Sequence, residues 1–176
     1  MSSATQPILS TTTLFTEREA RLRKEKEAEE HLRQQAAEEL ADYKRRLDTF
    51  QMTEAHREIV VNRIRRAFER GETELMLVSF PSSFCSDGGR AVNNADLPPI
   101  NKPDKEEEAA ALREPAWLAT LPGGARQVYD FWKASLEPGG FAFSARIVSY
   151  QAGVPGEVGL FFSWPKSALD SAAPGD

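Results

Sequence analysis

Between Thr53 and Arg70 the apolar residues Ile59, Val60, Ile64, Ala67 and Phe68 recur at i, i+1, i+5, i+8 and i+9, one stripe of an α-helix. Thr53, with Glu54 beside it and His56 three residues on, provides a capping pattern at its start. Gly71 provides a stop, because glycine takes the left-handed conformation of a helix end at the least cost. Leu75 to Phe80 (LMLVSF) is short, apolar on both alternating faces and bounded by Gly71 and Pro81, which predicts a buried strand. After Pro122, the residues Ala125, Val128, Tyr129, Trp132, Ser135 and Leu136 form another helical stripe, ended by Pro138, Gly139 and Gly140. Two alternating runs follow, Phe141, Phe143, Ala145, Ile147 and then Val158, Leu160, Phe162, Trp164, which predict two strands. The link between them, QAGVPGE, is rich in turn residues but too long for a two-residue loop, so a wider antiparallel hairpin is expected.

The N-terminal third has a different pattern. Residues 16–50 contain no Gly or Pro and consist mainly of Glu, Lys, Arg, Ala, Leu and Gln, strong helix formers. Thr16 with Glu19 forms a capping box, and a helix from there to Phe50 would reach about 50 Å. Leu40, Tyr43, Leu47 and Phe50 follow heptad spacing and Ala36 extends it, but Arg33, Glu29 and Lys26 take the next positions. That is fewer than two clean heptads. The expectation is a long charged helix whose last third packs on something, with a partial coiled coil as the alternative. Residues 1–15 are expected to be disordered, and 166–176 a flexible tail. The stretch 82–119 has no long periodicity, although Asp104 can cap a short helix through Arg113.

The order helix, helix, strand, long loop, helix, strand, strand predicts an α+β domain over 53–165, preceded by the charged helix. A strand–helix–strand crossover followed by a hairpin predicts a mixed three-stranded sheet packed by helices. The first strand, apolar on both sides, is the candidate for the centre.

Charge narrows the function. The chain carries a net charge of −5; Met1–Glu72 is balanced at 14 basic and 14 acidic residues, so the excess lies in the remainder. An acidic main domain offers no general attraction to nucleic acid or an anionic membrane. One cysteine, Cys85, excludes an intramolecular disulfide framework. No apolar run approaches the length of a membrane span, and the N-terminus resembles no signal peptide, so a cytoplasmic location is the expectation.

The segment Ser83–Asn94 (SFCSDGGRAVNN) is the candidate site. It follows the carboxyl end of a strand, a usual place for sites in α/β sheets. Gly88 and Gly89 allow close backbone approach, Arg90 can grip a carboxylate or phosphate, and Asp87, Asn93 and Asn94 add polar contacts. Arg146 would join this ligand-binding set if the hairpin lies alongside. The competing reading is ordinary turn chemistry. Cys85 as a nucleophile would need a base, yet the two histidines, His31 and His56, sit on the N-terminal helices. No metal-ligand spacing or nucleotide fingerprint is present, so neither metal nor cofactor is expected; Gly123-Gly124 at a helix start could receive an anion.

Three functions rank in order. The first is a non-enzymatic interaction or adaptor protein using residues 16–50 for self-association or docking to a protein partner. The second is an anion-binding protein or enzyme using loop 83–94, with Arg90 as anchor and Asp87 as base. The third is nucleic-acid binding through the Arg-rich helix 57–70, where Arg57, Arg63, Arg65, Arg66 and Arg70 otherwise read as a solvated face.

Overall fold

A computed structural model describes residues 5–95 and 114–167. The short helix expected at 104–113 and most of the tail lie outside them. The chain forms two compact units, Met1–Tyr43 and Lys44–Asp176.

Helix α1, Thr11–Asp48, supplies nearly all of the first unit, and none of its residues is buried. It begins before Thr16, so Thr11 to Phe15 are helical rather than disordered. The Ser10 side chain accepts from the Thr13 N–H at 3.2 Å, and the Thr16 hydroxyl donates to the Thr12 carbonyl at 2.9 Å instead of capping. A serine just ahead of the threonine run thus provides the start.

The second unit is α+β. Helix α2, Glu54–Glu69, has the capping box the sequence predicts: the Thr53 side chain accepts from the His56 N–H while His56 Nδ1 accepts from the Thr53 N–H at 3.1 Å. Gly71 follows it at φ +78°. Of the predicted stripe, Val60, Ile64 and Ala67 are buried, whereas Ile59 and Phe68 stay more than half exposed at its edges. Strand β1, Glu74–Pro81, leads into the loop and a single helical turn, α3, Arg90–Asn93. Helix α4, Gly124–Phe131, continues as a π-turn over Trp132–Leu136 before Gly140, at φ +91°, turns the chain into the hairpin. The Trp132 indole N–H donates to the Phe141 carbonyl at 2.9 Å and braces that turn.

Strands β2, Ala142–Gln151, and β3, Val154–Ser163, complete a sheet of order β1-β3-β2. Both pairings are antiparallel, so the sheet is not mixed, and β3, not β1, is central. β1 and β2 do run the same way, as a crossover requires, but β3 inserts between them. The reason is burial: Val158 to Phe162 are five consecutive buried positions, while Glu74 and Met76 on β1 are exposed. The strand with the long buried run takes the middle, where both of its edges are paired; β1, with fewer buried positions, takes an edge.

The hairpin is also tighter than expected. Its loop is Ala152-Gly153, at φ +49° and +80°, the positive pair that two-residue turns need. Pro155 and Glu157 belong to the ladder, opposite Tyr150 and Ser149. Register shifts near Val148 and Gly156 cancel, so both ends keep the same alignment.

Val158, Leu160 and Phe162 face the helices, where Phe162 joins Val60, Ile64, Val128, Phe131 and Leu136 in the core. The opposite sheet face carries Phe161, with the Arg146 guanidinium 3.8 Å from its ring centre.

Candidate functional site

The loop after β1 is held by side chains that bond its own backbone and the neighbouring strand. Ser82 is buried and its hydroxyl donates to the Pro155 carbonyl at 2.6 Å. The Phe84 ring stacks on Phe80, nearly parallel at 6.4 Å. Asp87 accepts from the Gly89 N–H at 3.0 Å and the Ala91 N–H at 2.8 Å, so its carboxylate caps α3. Capping satisfies donors that a helix start leaves open. Gly88 and Gly89, at φ +70° and +87°, make the bend that brings those N–H groups round to it.

Asn93 accepts from the Tyr150 hydroxyl at 2.8 Å, which ties α3 to the end of β2. Arg90 and Asn94 are exposed, and Arg90 makes no side-chain hydrogen bond or ion pair among the described residues. Arg146 is elsewhere. A Cβ at Gly89 would sit 3.5 Å from the Ile147 side chain, so the loop lies on the side of the sheet to which Ile147 points. Arg146, one residue earlier, points to the other side, because side chains alternate along a strand. There it stacks on Phe161 and donates to Glu74 at 2.7 Å. The loop therefore brings Asp87, Gly88, Gly89 and Asn93 together as turn and cap, and leaves Arg90 without Arg146.

Cys85 is buried, and burial, with the Asp87 charge adding to it, pushes its thiol up from 9.0 to about 11. A nucleophilic cysteine needs the reverse shift. At pH 7.4 fewer than about one thiol in a thousand is ionised, so labelling of the native protein by a disulfide reagent should be slow and should accelerate toward pH 11. The unfolded thiol ionises first, near 9.0. The stability contributed by the buried thiol is thus complete below that pH and is lost between 9.0 and about 11. Labelling of the native protein as fast as of the denatured chain at neutral pH would contradict this.

Of the five arginines at 57–70, Arg65 and Arg66 are exposed, while the other three are engaged. Arg63 donates to the carbonyls of Leu77 and Met76 at 3.0 and 2.9 Å, where β1 slips register against β3. Arg57 pairs with Glu54 and Arg70 with Glu72.

One anion site read from the sequence is filled by the chain itself. Gly123 and Gly124, at the start of α4, meet the C-terminal end of α1. The Gly123 N–H donates to Asp48 Oδ1 at 3.2 Å. A Cβ at Gly123 would lie 2.5 Å from the Asp48 carbonyl oxygen, and one at Gly124 closer still to that of Leu47. Two adjacent glycines let the carbonyl end of one helix abut the N–H end of the next, an arrangement both dipoles favour. Lys44, at 2.6 Å, and then the Gly123 N–H hold the Asp48 carboxyl below its usual range. Leu47 and Phe50, the lower half of the heptad-like seam, are thereby half-buried against the domain. The predictive signal was the glycine pair; its occupant lay 75 residues away.

Among the described residues no three His, Cys, Asp or Glu side chains are placed to hold a metal ion, and no helix is long and apolar enough to cross a membrane. No protein-family model, no curated protein and no solved structure matches the chain.

Proposed function

We propose that this protein is a non-enzymatic interaction protein, in which α1 self-associates or docks on a protein partner. One observation carries the reading. α1 runs for 38 residues, about 57 Å at 1.5 Å per residue, without a buried side chain. Exposed leucines on a helix are ordinary when scattered. Here Leu14, Leu22, Leu32 and Leu40, 44% to 64% exposed, recur with an 18-residue period, five helical turns. They lie within a sector of about 80° on one side. A 3.6-residue period keeps that stripe on one side of a straight helix, whereas a 3.5-residue period would make it supercoil. The stripe therefore suits side-by-side packing against another helix or a groove.

Two features of the loop weigh against an anion site: Asp87 is spent on capping and Arg146 is on the far face. Sedimentation of the full chain tests the reading. We expect a mass above the 19.6 kDa of one chain that falls to monomer with Leu22→Lys and Leu32→Lys combined, or a purified partner whose binding the same pair abolishes. A chain that is monomeric at every concentration, and that keeps its partners when the pair is introduced, would overturn it.

A further inference from the structure

The end of α1 that abuts α4 also roofs a cavity of about 180 Å³ inside the second unit. Leu47 and Phe50 form the roof, Val60, Val78 and Leu160 stand in the walls, and Ile59, 56% exposed, lies at the rim. The wall is carbon almost throughout; even His56 presents its ring there, with Nδ1 committed to the Thr53 N–H. The space is open on one side, past Ile59, and so is an apolar pocket with a mouth rather than a sealed void. Water gains little here, since an ordered water wants two to four polar partners.

Collapse is prevented by the frame. The Gly124 contact fixes the roof on one side, and on the other the capping box pins the start of α2 while the Phe50 and His56 rings touch at 5.0 Å. A carbon-lined space of this size is comparable to the cavities of about 150 Å³ that accept a single aromatic ring.

We propose that this cavity is a binding site for a small hydrocarbon-like ligand, an aromatic ring or short alkyl chain, with any polar end left at the mouth beside Ile59. The proposal is independent of the role of α1 in association. Toluene and indole are suitable probes, followed by calorimetry and thermal unfolding of the full chain. Saturable binding is expected, with a Tm rise of about 5–10 °C at a hundredfold excess over Kd. Val78→Phe, which grows into the cavity, should abolish it. Ile59→Trp, at the exposed rim, should weaken it without touching the core, which keeps the test decisive if the first variant fails to fold. Absence of saturable binding by both probes would overturn the proposal. So would binding that survives both substitutions unchanged.

Discussion

Replacing Phe162 with alanine is expected to cost the second unit about 3–5 kcal/mol, the range for deleting a fully enclosed aromatic. Phe162 has no exposed surface and sits on the central strand between Leu75 on β1 and Phe143 on β2. Its ring lies 5.5 Å from that of Phe143 and belongs to the same buried cluster as Val60 and Ile64 of α2 and Val128 and Phe131 of α4. Its removal leaves a hole bordered by both helices and both neighbouring strands, so no single element can shift to fill it. Against a typical total of about 5–15 kcal/mol, that is a large share of the stability. Urea unfolding should show a lower midpoint at an unchanged slope. Phe161→Ala is the control: its ring lies on the opposite face under Arg146, whose side chain is 39% exposed, and the loss should be smaller. Equal losses would mean that the two faces of β3 are not divided as described.

Gly124→Ala tests two principles of opposite sign. By helix propensity alone, alanine within a helix should stabilise by about 0.5–1 kcal/mol. The packing predicts the reverse. The new Cβ would lie 2.9 Å from the Phe50 Cβ and nearer still to the Leu47 carbonyl oxygen, a backbone atom that moves only if the end of α1 moves. Overpacking of this kind costs about 1–3 kcal/mol. The expected result is net destabilisation, with faster amide exchange at Gly123, whose N–H would lose Asp48. A variant more stable than the parent would show that α1 does not end against α4.

Local physics made much of this protein legible. The Thr53–His56 box, the left-handed Gly71, the helix after Pro122 and the alternating Val158–Trp164 strand all depend on residues within a few positions of one another. Signals of that range act before the rest of the chain arrives. The start of α1 is ambiguous for a local reason too: Ser10 and Thr16 both offer a cap, the Thr-rich run between them has little helix preference, and serine is the stronger cap. The tight turn at Ala152-Gly153 was hidden because it asks a non-glycine residue to take a positive φ, which sequence statistics disfavour.

Composition and spacing thus establish the class: a long charged helix, a second helix, and an α+β domain of three strands. It also marked the residues of loop 83–94 and the Gly123-Gly124 pair as conformationally special. What those residues do follows from long-range packing. It set β3 between β1 and β2, turned Asp87 into a cap, sent Arg146 to the face away from Arg90, and filled the glycine pair with the end of α1. Each of these depends on surfaces that meet across tens of residues, where the partner is chosen by burial and shape. Spacing along the chain records which groups are available, and the packed core determines which of them meet.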